Sequence, residues 1–105
     1  PFFWSPIGGL RFLGMPSGPE LPRGYAVDVN RQDVAVGYHQ FSGGVYRAFV
    51  WDANLGTRYL DDLVQHRGGI RIIAASRISD RGWIVGDAVD RTQADKHVGF
   101  LLIPL

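Results

Sequence analysis

A chain of 105 residues has room for one domain, and its formal net charge of +1 argues against a strongly charged surface for nucleic acid or membranes. The absence of Cys excludes disulfides and thiolate metal sites, and no apolar run reaches the ~18 residues that a membrane-spanning helix needs. With 14 Gly, 6 Pro and very little Glu or Lys, the composition favours short strands joined by tight turns.

The sequence contains an internal repeat. The segment FFWSPIGGLRFL at residues 2–13 recurs as FVWDANLGTRYL at residues 49–60, 47 positions later. The segment AVDVNRQDVAVG at residues 26–37 matches ASRISDRGWIVG at residues 75–86, 49 positions later. A period of this length in a strand-rich chain is typical of a four-stranded antiparallel unit.

Alternating apolar residues bounded by Gly, Pro, Asn and Asp mark the strands of this pattern. The segment GFLLI at residues 99–103 is similar to AFVWD at residues 48–52, so the pattern begins once more near the end of the chain. In chain order, strands are predicted at residues 2–4, 10–13, 25–29, 34–39, 46–51, 58–60, 72–78, 83–89 and 98–103.

The turns of the pattern carry a conformational prediction. The segment NRQD at residues 30–33 takes the place of SDRG at residues 79–82, where Gly82 closes a hairpin that needs a positive φ. Asp33 stands in the position of that glycine. Because Asp tolerates the left-handed region better than most residues, we predict a positive φ at Asp33.

One connection departs from the strand pattern. Leu60, Leu63 and Val64 have helical spacing. Since Gly68 and Gly69 follow at once, we expect no more than a single helical turn there.

Three segments carry a resemblance to a known repeat. The segments RAFVWD at residues 47–52, AVDVNRQDVAVG at 26–37 and RISDRGWIVG at 77–86 resemble the HAF-type repeat of predicted extracellular bacterial proteins. The chain departs from the motif at its histidine, which is Arg47 in the middle copy and Val98 in the last. The resemblance implies β-propeller blades, an extracellular or cell-surface location and no transferable catalytic residue. This chain itself shows no signal peptide.

The predicted fold is therefore all-β and β-propeller-like, with about two four-stranded antiparallel blades in one domain. Residues 1–15 are assigned to a partial blade, residues 24–66 to a blade, and residues 70–105 to a blade that lacks its last strand. Because propellers have about four to eight blades, we expect an incomplete ring that other blades of a longer protein or other copies complete. Open strand edges are expected to invite pairing.

Trp4, Arg11, Trp51 and Arg58 are the candidate ligand-binding residues. Trp4 and Trp51 are equivalent in the pattern, as are Arg11 and Arg58, and an aromatic plane beside a guanidinium could stack on a sugar ring in each unit. The alternative is that the tryptophans pack between neighbouring sheets, which is the commoner role of repeated aromatic residues in propellers.

The remaining polar groups are given structural roles. Adjacent carboxylates at Asp61 and Asp62 fit a turn or cap better than acid–base catalysis, and no G-x-S-x-G motif supports a hydrolase. No metal site, cofactor or catalytic residue is predicted. Surface or loop roles are assigned to the histidines, to the aspartates of the last loop and to the basic stretch, namely His39, His66, His97, Asp87, Asp90, Asp95, Arg67, Arg71, Arg77 and Arg81.

These observations favour a non-catalytic binding or scaffolding domain of an exported bacterial protein, which mediates protein–protein interaction or assembly. The expected partners are further copies of the chain or another chain of the same propeller, with no nucleic acid and no membrane span. A lectin-like carbohydrate-binding module is one alternative. Another is part of a propeller hydrolase or lyase whose catalytic residues lie in other blades.

Overall fold

Antiparallel strands dominate the described chain. The computed structural model describes the backbone at residues 2–5, 9–12 and 23, and backbone and side chains at residues 24–64 and 68–104. The elements are β1 (Phe2–Ser5), β2 (Gly9–Phe12), β3 (Arg23–Val29), β4 (Ala35–Phe41), β5 (Val45–Asp52), β6 (Gly56–Tyr59), the helical turn α1 (Leu60–Leu63), β7 (Ile70–Ile78), β8 (Ile84–Asp90) and β9 (Lys96–Leu102), with 3₁₀ turns at Ser42–Gly44 and Arg91–Gln93. The predicted strands and helical turn are confirmed, with strand ends that differ by at most two residues.

The strands form three antiparallel sheets. These are the hairpin β1-β2, a first sheet in the order β3-β4-β5-β6, and a second sheet in the order β7-β8-β9. Since each strand lies beside its neighbour in sequence, the turns β3–β4, β5–β6 and β7–β8 lie at one end of the first and second sheets, and the turns β4–β5 and β8–β9 lie at the opposite end. The all-β class is confirmed.

The first two strands of each sheet pair in the same way. Ala26 lies opposite Gly37 in the first sheet, and Ala75 lies opposite Gly86 in the second. In both cases the next pair skips one residue, so that a β-bulge follows Ala26 and Ala75. The two hairpins are thus related by a displacement of 49 residues.

The third strands agree as well. Gly37 lies opposite Phe49, and Gly86 lies opposite Phe100. The displacement between β5 and β9 is therefore 51 residues, from Phe49 to Phe100. We call two residues equivalent when they occupy the same place in these two registers.

Glycine is required at the bulges because two backbones approach closely there. A Cβ on Gly37 would overlap the carbonyl oxygen of Tyr25, and a Cβ on Gly86 would overlap that of Ala74. Gly86 also faces the ring of Phe100, whose Cε1 would lie 2.8 Å from the added atom. No side chain fits at either position without movement of the neighbouring strand.

The turns between the first two strands are alike in both sheets. The N–H of Asp33 donates to the carbonyl of Asn30 at 3.1 Å, and the N–H of Gly82 donates to that of Ser79 at 2.9 Å. The φ angles are 61° at Asp33 and 85° at Gly82. The positive φ predicted for Asp33 is confirmed.

Side chains of the first sheet alternate between two apolar clusters. One cluster fills the space between the sheets and contains Val36, Ala48, Val50 and Leu60 from the first sheet and α1, with Ile72, Ala75, Ile78 and Ile84 from the second. The other lies on the opposite face of the first sheet and contains Ala35, Phe49, Trp51 and Tyr59. The first sheet is therefore apolar on both faces, as expected of a layer with neighbours on two sides.

Candidate interaction surface

The two sheets contact each other through equivalent turns. Asn30 Nδ2 donates to the carbonyl oxygen of Ser79 at 3.0 Å, and these residues are 49 positions apart. The N–H of Arg31 donates to Asp80 Oδ1 at 2.9 Å, while Arg31 Nε lies 3.4 Å from Asp80 Oδ2. Arg31 and Asp80 are also equivalent. A contact between equivalent positions is heterologous and can be repeated by a further sheet of the same kind.

The outer face of the second sheet exposes apolar side chains. Val85 is 40% exposed, although its equivalent Val36 is 0% exposed in the core between the sheets. Leu101 is 51% exposed, although its equivalent Val50 is 7% exposed. Trp83 stands two residues before Val85 and is also exposed. We call Trp83, Val85 and Leu101 the outer face.

The first sheet exposes the complementary positions on β3. Val29 is 47% exposed, whereas its equivalent Ile78 is 8% exposed against the first sheet. Ala26 is exposed, whereas its equivalent Ala75 is 1% exposed. We call Ala26 and Val29 the open face. The described chain thus leaves uncovered, at its two sides, positions whose equivalents bury each other between the sheets.

The structure does not bring Trp51 and Arg58 together. Trp51 lies opposite Thr57 and is 6% exposed in the cluster with Phe49 and Tyr59. Arg58 is the next residue along β6, so its side chain leaves the sheet on the other face. There its Nη2 donates to Asp52 Oδ2 at 3.1 Å. Trp51 is thus a packing residue, as the alternative expected. Carbohydrate binding stays a prediction, but Trp51 and Arg58 do not share a surface on which a sugar could bind both.

The side chains of Trp4 and Arg11 lie outside the described residues, and only their backbone pairing can be compared. Trp4 lies opposite Leu10 in β1-β2, as Trp51 lies opposite Thr57 47 residues later. Arg11 in turn occupies the backbone position in β1-β2 that Arg58 occupies in β5-β6.

His39 is buried, and its assignment to the surface or to a loop was wrong. It is 0% exposed on β4, with Nδ1 2.8 Å from the hydroxyl of Tyr59, while Nε2 has no hydrogen-bond partner among the described residues. Burial, and then nearby positive charge that includes Arg47, lowers the pKa of His39 to about 4. Burial raises the pKa of Tyr59, so its hydroxyl stays protonated at neutral pH. His97 is exposed as predicted, and His66 lies outside the described residues.

A polar groove of about 400 Å³ opens where β5, α1 and β7 meet. Its charged lining consists of Arg47, Asp61, Asp62, Arg71 and Arg91. Arg47 lies 3.8 Å from the centre of the Tyr59 ring and 3.5 Å from Asp62 Oδ1, and Asp61 Oδ1 accepts from the N–H of Ile72 at 2.9 Å. The adjacent carboxylates thus have separate partners and tie α1 to the neighbouring strands, as a structural role requires.

Asp90 is the last residue of β8 and is buried, so its assignment to a solvated loop was wrong; its carboxylate is held by local bonds. Asp90 Oδ1 accepts from the N–H and hydroxyl of Thr92 at 2.9 and 2.6 Å, and Asp90 Oδ2 accepts from Gln93 at 2.8 Å. These bonds, led by that from the Thr92 hydroxyl, lower the pKa of Asp90. Within residues 24–64 and 68–104 no three His, Asp or Glu side chains group as metal ligands would.

Sequence reasoning missed the outer face and the open face. Alternation marked Val85 and Leu101 as strand residues, but alternation does not tell a covered face from an uncovered one. The repeat in the sequence aligns Val85 with Val36 and Leu101 with Val50, which marks them as matching positions but does not say in which copy they are covered.

Comparison with known proteins gives no match to a family model, a curated protein or a solved structure. Among the described residues, no helix is long and apolar enough to span a membrane.

Proposed function

We propose that this chain is a non-catalytic binding and assembly module whose sheets stack face to face with sheets of further copies. The carrying observation is the contact between equivalent turns, Asn30 to Ser79 and Arg31 to Asp80. Each turn uses only one of its sides in this contact, so its other side can contact the equivalent turn of a third sheet. The β-propeller arrangement and the exported location are parts of the same proposal and rest on the resemblance to HAF-type repeats.

The exposed apolar positions support stacking on both sides. In the proposed contact, the outer face of one copy covers the open face of the next, as Val36 and Val50 cover the second sheet within one chain. Burying Val85 and Leu101 would each contribute on the order of 1 kcal/mol, because about half of each side chain is already covered. Without such a cover these side chains remain in water.

Charge also fits the repeated contact. Asp80 of one copy would meet Arg31 of the next at the place where Arg31 meets Asp80 within the chain. The acidic residue then lies on the first member of the contact and the basic residue on the second, the reverse of the order within one chain, but the two charges still attract each other. As an exposed ion pair it would contribute at most about 1 kcal/mol, so it sets the register of the contact more than its strength.

The mass of the chain in solution, measured by light scattering over a concentration series, tests this proposal. We expect a mass above the 11.6 kDa of one chain, and a return to that mass for Leu101→Asp. The matched control is Leu55→Asp, because Leu55 is 64% exposed in the turn between β5 and β6. A folded wild-type chain that stays monomeric at every concentration would contradict the proposal.

The heterologous geometry has a sharper test in a mixture of two variants. Leu101→Asp keeps an intact open face, and Val29→Asp keeps an intact outer face. Each variant alone should be monomeric, and the equimolar mixture should form a dimer that does not grow further. Association of Val29→Asp with itself through two outer faces would rule out this geometry.

A further inference from the structure

Among the described residues, the second sheet has no strand in the place that β6 occupies in the first sheet. In the first sheet β6 pairs with β5 from Phe49 to Asp52. The equivalent stretch runs from Phe100 in β9 to Ile103, one residue past the end of that strand, and no strand within the described part of the chain pairs with its free side. This edge therefore presents backbone N–H and C=O groups that can pair with an added strand.

An apolar groove of about 640 Å³ lies along this edge. Leu60 and Leu63 of α1 and the following Val64 line one side of it, and Leu102 of β9 and the following Ile103 line the other. Leu63 is 45% exposed and Ile103 is 54% exposed. The groove thus combines apolar walls with an unpaired strand edge.

In the first sheet, β6 fills the position beside β5 that corresponds to the groove beside β9. Tyr59 of β6 lies opposite Phe49 and is 8% exposed against Phe49 and Trp51. Phe100 and Leu102 are the equivalents of these two residues and pack against the core between the sheets. A strand added beside β9 would therefore direct an equivalent of Tyr59 into the groove.

A separate observation concerns Arg58, which also lines the groove. Its Nη2 donates to Asp52 Oδ2, but its Nε is buried and has no hydrogen-bond partner in the part of the chain that the structure describes. A buried donor without an acceptor costs about 1 to 3 kcal/mol. That cost would be recovered if the Arg58 side chain turned toward the groove and donated from Nε to a carbonyl or carboxylate oxygen of an occupant.

We propose that the edge of β9 and this groove accept one extended peptide strand from a second polypeptide, antiparallel to β9, with an aromatic side chain in the groove. The template is β6, whose sequence GTRY gives the pattern Gly-x-Arg-aromatic, and β2 repeats it as GLRF. Alternation places the aromatic residue on the groove side of the added strand and the arginine on its other side, because Tyr59 and Arg58 lie on opposite faces of β6. The inference rests on the proposed binding function, but it does not require sheets to stack.

Binding of a synthetic peptide to the whole chain tests the proposal without relying on a variant. The probe is a fluorescent peptide with the sequence GTRYLD of residues 56–61, and its anisotropy is titrated with the protein. The control peptide has the same sequence with N-methyl groups on alternate backbone nitrogens, which removes strand pairing and keeps the side chains. We expect saturable binding to the first peptide and at least about tenfold weaker binding to the methylated one.

Protein variants locate the site. Leu63→Asp should weaken binding of the unmethylated peptide by about tenfold or more, whereas Leu55→Asp should leave it unchanged. Circular dichroism of both variants verifies that the sheets are intact. Equal affinity for the two peptides, or no saturation up to about 1 mM, would overturn the proposal.

The two proposals can fail separately. A peptide that does not bind to a protein whose assembly depends on Leu101 would remove strand addition and leave sheet stacking in place. A peptide that binds to a strictly monomeric protein would support strand addition and contradict stacking.

Discussion

Replacement of Gly86 by Ala tests the equivalence of the two sheets at its tightest point. The added Cβ would overlap the carbonyl oxygen of Ala74 and lie 2.8 Å from Cε1 of Phe100. The carbonyl belongs to the backbone of the neighbouring strand, so the clash is relieved only if β7 moves away from β8. Overpacking of this kind costs about 1 to 3 kcal/mol of unfolding free energy.

Gly99 provides the matched control in the same sheet. Its Cβ would come no closer than 3.8 Å to the carbonyl oxygen of Gly86, which is ordinary contact. Because Ala restricts the unfolded chain more than Gly, Gly99→Ala should leave the stability unchanged or raise it by up to about 1 kcal/mol. The same change is therefore expected to have opposite effects at two neighbouring positions.

Equilibrium urea unfolding followed by circular dichroism measures both variants against the wild type. A loss of about 1 to 3 kcal/mol at Gly86 corresponds to a decrease in Tm of roughly 5 to 20 °C for a domain of this size. Gly37→Ala, at the equivalent bulge, should lose a similar amount. If Gly86→Ala and Gly99→Ala unfold with the same free energy, the close approach of the strands at the bulge is refuted.

Three further predictions concern the first sheet. Asp33→Gly should keep or slightly raise the unfolding free energy because φ is already 61°, and a loss above roughly 1 kcal/mol in urea would contradict the turn. Tyr59→Phe removes the partner of His39 Nδ1 and should lower the unfolding free energy by about 1 to 2 kcal/mol in the same assay. An unchanged unfolding free energy would show that this hydrogen bond does not form. Since the pKa of His39 falls to about 4 in the folded state from 6.5, the unfolded state binds the proton first, and stability should decrease by up to about 3 kcal/mol as the pH falls from 6.5 to 4. His39→Gln should flatten that part of the pH profile, and an unchanged profile would show that another group titrates.

The sequence predicted local structure well because local structure has local causes. Glycine and aspartate at the turns, and apolar residues at every second position, specified the strands and the left-handed Asp33 without knowledge of any neighbour. The tertiary roles of polar residues were harder to predict. His39 alternates with apolar residues on β4, yet only the packing of Phe49 and Tyr59 around it determines that its ring is excluded from water.

The candidate ligand-binding residues also show the difference between what the sequence predicts and what packing decides. The sequence paired Trp51 with Arg58 because both recur in the pattern, but the register of β5 and β6 sends their side chains to opposite faces. By contrast, nothing in the sequence distinguishes the buried Val36 from the exposed Val85, since both follow the same strand pattern.

The sequence by itself determined the strands, the turns and the spacing at which they recur, because these depend on backbone preferences and on the alternation of side chains. Only the tertiary structure decided which faces are covered. Burial depends on which sheet lies against which, and that is a property of the whole arrangement rather than of any one strand. The open face, the outer face and the groove beside β9 are consequences of that arrangement.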